Sequence, residues 1–475
     1  MVGHLQASLV HPTSVNCLAS TRNMRWVFSG GEDGFIRKFD FVATLNGEQT
    51  LTQTQKHGLA DSVEKGGVLS SVWENEEFPI TYTENPPSLA QDWSPVYSLD
   101  VHSEGVWCVS GCKSGNINLW SVRHDEGHCQ HVLRYHKNTV SCLRITPGER
   151  GLISGSWDRS LVRWDLDVGK ITTRFQGVRS QITVAALDPA HIPLFRSSTH
   201  YAADDSLLMA TSYDGAILIY DQRTPNGAGR KFVAKQSEAP PWCLSACWSP
   251  NGDRVFCGRR NASIDEYDIR EGRWARSLRL PRDSGPVTLV AALPNSRHLL
   301  CASQDILRLW DLDSSASDGD VVLPPTDNSA QDTFLASDAG STSAGHSPAH
   351  AVGIENGEGY VEGEGTVVTL NGTSSLANGA HLRATPQSRV NRLRQEEGVH
   401  TTTPPLVPFT VVPGHTTGIV TTILMDTSAR FLITASGTRG WEGAPSHLCL
   451  VNALTPVTLT NVPLPTAASQ QGEEG

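Results

Sequence analysis

Two segments of this chain superimpose without a gap, and this internal repeat constrains the fold more than any other feature. His11–Asp40 ends in SGGEDGFIRKFD, and His136–Asp165 ends in SGSWDRSLVRWD. In both, the histidine precedes a turn aspartate, Asp33 or Asp158, by 22 positions (11 to 33, 136 to 158), and the final aspartate follows after seven (33 to 40, 158 to 165). Two spacings that recur together indicate a repeated structural unit.

Five weaker copies of this unit predict the overall fold. Each has short alternating apolar runs separated by Gly, Asp, Asn or Ser turns, which is typical of a four-stranded antiparallel sheet. One such sheet cannot bury both of its faces, so a continuous core requires radial stacking. The sequence therefore predicts an all-β, seven-bladed β-propeller. The weaker copies are SGCKSGNINLWS, ATSYDGAILIYD, CGRRNASIDEYD, CASQDILRLWD and a last copy from His415 to Asn452.

The stretches between the copies predict how the chain is divided. The apolar run GVLSSVWENEE, about one extra strand, predicts an ordered insertion, because its side chains need cover. A long stretch rich in Ser, Gly, Ala, Thr and Asn cannot bury enough apolar surface to offset its ordering entropy, which predicts a disordered loop. The predicted organisation is blades one to six in 1–312 with the insertion at 41–92, a disordered loop at 313–405, blade seven at 406–465 and a disordered tail at 466–475.

Ring closure requires a strand from each end of the chain. Residues 4–10 (HLQASLV) precede His11 as VLRYH precedes its own histidine in the third repeat. We therefore expect residues 4–10 to form the outermost strand of blade seven, which would remove an exposed strand edge. The competing candidate for this place is residues 456–462.

Composition and charge limit the classes of partner. The net charge of −11 argues against nucleic acid or an anionic membrane as the main partner, because both require concentrated Lys and Arg. No secretory signal and no apolar run near the ~18 residues of a membrane span occur, which predicts a soluble intracellular protein. The ten cysteines lack a CxxC pair. Buried free thiols are favoured over a metal site or disulfides.

A catalytic interpretation competes with a structural one for the polar residues of the repeat. His136, Asp158 and a serine at 154 or 156 are the residue types of a hydrolase triad. However, these types recur from copy to copy, and no GxxxxGK, HExxH or GxSxG motif is present. The sequence thus predicts no enzyme, with no catalytic, cofactor-binding or metal-binding residues.

The chain resembles the WD-repeat, TATA-binding-protein-regulatory subunit of the fungal SAGA transcription coactivator complex. The resemblance lies in FIRKFDFVATLNGEQTLTQTQKHGLADSVEKGGVLSSVWENEE, SPVYSLDVHSEGVWCVSGCKSGNINLWSVRHDEG and HKNTVSCLRITPGERGLISGSWDRSLVRWDLDVGK, and includes the insertion after the first repeat. It implies a nuclear protein that binds TATA-binding protein and other SAGA subunits and regulates RNA polymerase II transcription. It also implies that acetyltransferase activity belongs to another subunit. From the charge and composition, neither sequence-specific nucleic-acid binding nor membrane binding is expected.

The WD-repeat pattern assigns a structural role to several polar residues. In such repeats the equivalent His, Asp, Ser and Trp hydrogen-bond one another within the blade. Copies two, four, five and six lack the histidine, and copies two and five carry Ser114 and Asn261 where Asp is expected. Those blades are expected to depend more on packing than on the polar network. The residues predicted to form this network are His11, Asp33, His136, Asp158, Trp164 and His415.

The same alignment predicts a binding surface. Trp157, Tyr213 and Arg260 precede the turn Asp, or its substitute, in blades three to five, and Trp242 aligns with Thr139. In WD-repeat folds these positions face one end of the ring. Clustered Trp, Tyr and Arg favour an interaction hot spot, although each ring could instead pack on its own loop. The alternative interface is the acidic insertion at Glu74, Glu76 and Glu77.

A second class of function stays open at this point. The chain could be a generic propeller adaptor, such as the substrate receptor of a ubiquitin ligase or a trafficking scaffold. No F-box-like helical segment precedes the repeats and no helical solenoid follows them. The family resemblance therefore favours the coactivator subunit.

Overall fold

The computed structural model of the protein describes residues 2–56, 63–78, 93–189, 207–222, 229–232, 241–281, 284–304, 306–313, 407–415, 419–437 and 447–455. The regular elements in these ranges are nearly all strands. The first fourteen strands are β1 (Val2–Ser8), β2 (Val15–Ser20), β3 (Trp26–Gly31), β4 (Phe35–Asp40), β5 (Lys65–Gly66), β6 (Val68–Glu74), β7 (Ser98–Val101), β8 (Trp107–Gly111), β9 (Asn116–Ser121), β10 (Cys129–Arg134), β11 (Val140–Ile145), β12 (Gly151–Ser156), β13 (Leu161–Asp165) and β14 (Lys170–Arg174).

The remaining strands continue the same pattern of short antiparallel pairs. They are β15 (Ile182–Leu187), β16 (Leu207–Ser212), β17 (Ile217–Asp221), β18 (Gly229–Phe232), β19 (Cys243–Trp248), β20 (Arg254–Arg259), β21 (Ser263–Asp268), β22 (Arg273–Arg279), β23 (Val287–Ala292), β24 (His298–Ser303), β25 (Leu307–Asp311), β26 (Phe409–Val412), β27 (Ile419–Met425), β28 (Phe431–Gly437) and β29 (Cys449–Thr455).

These strands form seven sheets arranged in a ring. In six sheets the chain runs from an innermost strand outward through three antiparallel neighbours, and in the seventh the N-terminal strand supplies the fourth strand. The innermost strands contact one another in sequence around a central channel, and β27 contacts β2. The prediction of an all-β, seven-bladed propeller is confirmed. The blades are β2-β3-β4-β6, β7 to β10, β11 to β14, β15 to β18, β19 to β22, β23 to β26, and β27-β28-β29-β1.

Blade seven is closed by the N-terminal strand. β1 pairs antiparallel with β29, from Val2 opposite Thr455 to Ser8 opposite Leu450. The predicted closure is therefore confirmed, with the strand two residues earlier than expected. The short strand β5 adds to the outer side of β1 in parallel and covers part of its edge. The competing segment 456–462 lies outside the described residues, as do the predicted disordered loop beyond residue 313 and the tail.

The insertion lies inside blade one rather than after it. It contains two short helices, α1 (Phe41–Asn46) and α2 (Gln53–Lys56), and the side chain of Asp40 caps α1 by accepting from the Ala43 N–H at 3.0 Å. β6 pairs with β4 and is the fourth strand of blade one, so the expectation of an extra strand is wrong. Similarly, β26 pairs with β25 and completes blade six. Blade seven therefore begins later than residue 406.

The core consists of apolar layers between neighbouring blades. Between blades one and two, Phe28, Ile36 and Trp73 pack on Leu99 and Trp120. Each fully buried side chain of this size contributes roughly 1.5–3 kcal/mol. All ten cysteines are described, none of them forms a disulfide, and eight of them are buried, as the sequence predicts.

Candidate interaction face

Blade three contains a buried polar chain that links its strands to its turn. Trp164 Nε1 donates to Ser154 Oγ at 2.8 Å, and Ser154 Oγ lies 2.8 Å from His136 Nε2. His136 Nδ1 lies 3.3 Å from Asp158 Oδ2 and 2.6 Å from Ser160 Oγ. Burial raises the pKa of Asp158, but hydrogen bonds from His136, Ser160 and the Lys137 N–H outweigh it and hold the pKa below its usual 3.8. The side chain of His136 is fully buried, so this triad of residue types offers no access to a substrate.

The matching histidines of blades one and seven have different partners. His11 Nε2 bonds to Ser29 Oγ at 2.7 Å and its Nδ1 to the Leu9 carbonyl at 2.9 Å, whereas Asp33 pairs with Arg37. His415 Nε2 bonds to Thr434 Oγ1 at 2.8 Å. The structure thus places His11 and His415 inside their blades, and among the described residues neither makes the aspartate contact seen in blade three.

Blade two builds its polar network from a segment that follows blade one. Trp120 Nε1 donates to Ser110 Oγ at 2.7 Å, and Ser110 Oγ donates to Asn75 Oδ1 at 2.7 Å. The Glu77 carboxylate accepts from the backbone and hydroxyl of Ser114, the residue at the missing aspartate position. Asn75 and Glu77 therefore stand where a histidine and an aspartate act in blade three. Sequence spacing could not reveal this, since Asn75 is 35 residues from Ser110 whereas His136 is 18 from Ser154.

Blade five uses a buried ion pair instead. Arg259 is fully buried and donates from Nε to Asp265 at 2.9 Å and from Nη2 to the Tyr267 hydroxyl at 2.8 Å. Its Nη1 donates to the carbonyls of Gly215 and Pro241. The expectation that blades two and five depend mainly on packing is wrong, because each contains a buried polar network made from other residue types.

The predicted aromatic residues meet at one end of the ring. The rings of Tyr213 and Trp242 contact edge to face at 5.9 Å, and the Arg260 guanidinium lies 4.5 Å from the Trp242 ring centre. Trp157 contacts Tyr97 at 5.5 Å. We call these five residues the aromatic arc. Three of its members, Tyr97, Trp157 and Tyr213, line a small hollow at the channel mouth, of about 20 Å³, which has room for little more than a water molecule.

Backbone hydrogen bonds hold the arc residues in equivalent positions. The N–H of Trp157, Tyr213 and Arg260 donates to the carbonyl of Thr139, Gln181 and Trp242, respectively, at 3.0 Å in each case. These bonds tie each turn to the entry of its own innermost strand, so the aligned residues share one end of the ring. Sequence alignment missed Tyr97 because it aligns with Ser141, and none of the aligned repeats has an aromatic residue there.

The acidic residues of the alternative interface lie where blade one meets blade two. Glu74 ends β6 opposite Phe35, and Glu76 pairs with Trp93 in an isolated bridge. Glu77 is engaged with Ser114, as described above. These three carboxylates are half-buried, and Glu77 lies beside the blade-two turn that carries Lys113.

Two features are absent from the part of the chain that the structure describes. Among its residues, no three His, Cys, Asp or Glu side chains are grouped so that they could hold a metal ion. No helix in the described part of the chain is long and apolar enough to cross a membrane. The feature that stands out is the arc, where Trp242 is 48% exposed.

Comparison with known proteins gives two matches along most of the chain. SAGA complex subunit Spt8 of Schizosaccharomyces pombe is 34% identical over 377 residues, covering 66% of this chain and 69% of that protein. SAGA complex subunit SPT8 of Saccharomyces cerevisiae is 28% identical over an alignment of 507 residues, covering 94% of this chain and 71% of that protein. Human Striatin-4 is 26% identical over 318 residues, covering 60% and 39%.

A family model agrees with these relatives and with the fold. The model described as the SPT8 beta propeller matches residues 5–201 and 194–329. The matched ranges contain residues 5–8 of the closing strand, the insertion in blade one, and the turns that form the aromatic arc. By sequence and by fold, this chain belongs to the SPT8 beta-propeller family.

Proposed function

We propose that this chain is a non-enzymatic WD-repeat subunit of a SAGA-type transcription coactivator complex and acts in the nucleus. The observation that carries the proposal is the match to two yeast proteins named as SAGA complex subunits, over 66% and 94% of this chain. The other subunits of that complex are its expected partners. The buried position of His136 and Ser154, which removes the one triad of catalytic residue types, supports the non-enzymatic assignment.

The proposal includes binding of TATA-binding protein and regulation of RNA polymerase II transcription through the aromatic arc. Trp, Tyr and Arg dominate interface energies when they cluster, because they bury a large area at low entropic cost. Trp242 contacts both Tyr213 and Arg260, and Tyr213 lines the same small hollow as Trp157. Such a preassembled cluster loses little conformational freedom on binding.

Affinity purification of the tagged full chain from nuclear extract, followed by mass spectrometry, tests the assignment. We expect SAGA subunits to be recovered in stoichiometric amounts. Recovery of ubiquitin-ligase or trafficking components in their place would contradict the proposal and favour a generic adaptor. Binding of purified TATA-binding protein is measured separately by titration.

Two variants locate the surface. Trp157→Ala with Trp242→Ala should weaken binding of TATA-binding protein or of a neighbouring SAGA subunit by about 2 kcal/mol or more, roughly 30-fold, with the propeller still folded. Trp93→Ala is the matched control, because Trp93 is 49% exposed but lies beside the acidic insertion. Loss of binding in the control alone would move the interface to Glu74, Glu76 and Glu77.

A further inference from the structure

We infer that the aromatic arc and the cations around it form a docking surface for an acidic peptide segment that carries aromatic or aliphatic side chains. The inference rests on the proposed function only in taking this end of the ring as the partner surface. It adds the chemistry of the partner.

The same turn position holds, in four adjacent blades, a cation, two aromatic residues and a second cation. The residue immediately before the turn Asp, or its substitute, is Lys113 in blade two, Trp157 in blade three, Tyr213 in blade four and Arg260 in blade five. Two neighbouring aromatic residues are therefore flanked on each side by a cation. The same position in blade one holds Glu32, which accepts a hydrogen bond from Asn16 at 2.7 Å and limits the cationic stretch on that side.

Three further cations extend this stretch. Lys137 and Arg179 lie on the segments that enter blades three and four, and Arg159 lies in the turn after Trp157. All three side chains are exposed, as are Lys113 and Arg260. Among the described residues, none of these five cations has a salt bridge, and Arg260 is instead stacked on Trp242.

The neighbouring carboxylates are already bonded within the protein. Asp158 accepts hydrogen bonds from Ser160 and from the backbone of Lys137. Asp214 accepts from the Ser212 hydroxyl and the Ala216 N–H. Glu77 accepts from Ser114. The five cations are thus free to meet charges supplied by a partner.

This cluster of cations contrasts with the whole chain, whose net charge is −11. An acidic ligand is therefore repelled by most of the protein and attracted at the arc, which gives orientation as well as affinity. Charges alone at an exposed site contribute little once screened by salt, so the apolar rings must supply the short-range contact. A segment with both carboxylates and aromatic or aliphatic side chains satisfies both requirements.

The test uses the full chain and two labelled peptides. The first is a 15-residue peptide, about the length needed to span several blades, in which Asp and Glu alternate with Phe and Leu. In the second, Asn and Gln replace every Asp and Glu. Fluorescence anisotropy should show that the acidic peptide binds about tenfold more tightly at low salt, with the difference shrinking as salt rises.

Charge-reversal variants assign this preference to the arc. Lys113→Glu, Lys137→Glu and Arg159→Glu together should remove the preference for the acidic peptide, because they leave the aromatic contacts in place. The matched control reverses three exposed arginines in turns at the opposite end of the ring, Arg22, Arg123 and Arg150. It changes the net charge equally and should bind the acidic peptide nearly as well as the original chain. If the triple glutamate variant does not fold, glutamine replacements at Lys113, Lys137 and Arg159 are used in its place.

Each outcome decides the inference separately from the proposed function. Equal binding of both peptides, or equal loss in both triple variants, overturns the acidic preference, and SAGA subunits can still co-purify. Conversely, a confirmed acidic preference without recovery of SAGA subunits would leave the inference standing and contradict the proposed function.

Discussion

Blades three and five solve the same packing problem with different chemistry. Each buries an aromatic side chain with a polar atom on its third strand, Trp164 or Tyr267. In blade three the Trp164 indole N–H donates to a serine, which also bonds to a histidine. The last member of this hydrogen-bonded series is a partly accessible aspartate. In blade five a fully buried Arg259 bonds to Asp265 and Tyr267 together. In both blades the buried polar atom of the third-strand aromatic residue has hydrogen-bond partners, and two different sets of residues provide them.

The two solutions should differ most when one partner is removed. Arg259→Leu leaves Asp265 as a buried charge without its partner, which should lower the free energy of unfolding by about 3–5 kcal/mol in urea denaturation. Arg273→Leu, on the exposed outer strand of the same blade, is the control and should have no measurable effect.

A double variant sharpens this result. Arg259→Leu combined with Asp265→Leu removes both charges, so it should regain most of the stability lost in the single variant. If the double variant is no more stable than the single one, Arg259 acts through its contacts with Gly215 and Pro241 and not through Asp265.

Acid should affect blades one and seven before blade three. Burial lowers the pKa of His11 and of His415 from 6.5 to about 4. Between these pH values the unfolded chain binds protons that the folded chain does not, so stability falls as the pH decreases from 6.5 toward 4, by as much as about 3 kcal/mol for each histidine.

This pH dependence is measured by urea denaturation at several pH values. His11→Asn and His415→Asn should each flatten the slope between pH 6.5 and 4, and the exposed His124→Asn should not change it. The acidic group of Asp158 also contributes stability that is lost as the pH falls. Because its pKa lies below the usual 3.8, this loss occurs only at a lower pH than the loss from the two histidines. A slope unchanged in both histidine variants would contradict the assignment.

Blade two extends the comparison because its network comes from outside the repeat. Asn75→Ala removes the acceptor of the Ser110 hydroxyl and should lower the free energy of unfolding by about 1–3 kcal/mol. Asn46→Ala, at an exposed position in the insertion of blade one, is the control and should not lower the free energy of unfolding. An Asn75→Ala variant as stable as this control would mean that packing alone holds blade two.

The comparison also shows what could be predicted from the sequence. The spacing of His136 and Asp158 predicted the blade because both residues keep their repeat positions, and the stretch before His11 predicted the closing strand for the same reason. Arg259 and Asn75 could not be predicted, since their roles depend on neighbours brought together only in the folded ring. The same holds for β6. It is the outer strand of blade one, but the insertion separates it from β4 in the sequence.

The smallest effect is expected at Glu77, the residue of blade two that stands where Asp158 acts in blade three. Its carboxylate bonds to Ser114 at an exposed turn, where water competes for both groups, so Glu77→Gln should change the free energy of unfolding by only about 0.5 kcal/mol. Asp158→Asn, with three internal donors on a half-buried carboxylate, should cost more. Equal losses in the two variants would show that the turn of blade two depends on its carboxylate as much as that of blade three. Reduced recovery of SAGA subunits by a stable Glu77→Gln protein would instead assign this carboxylate to the partner surface.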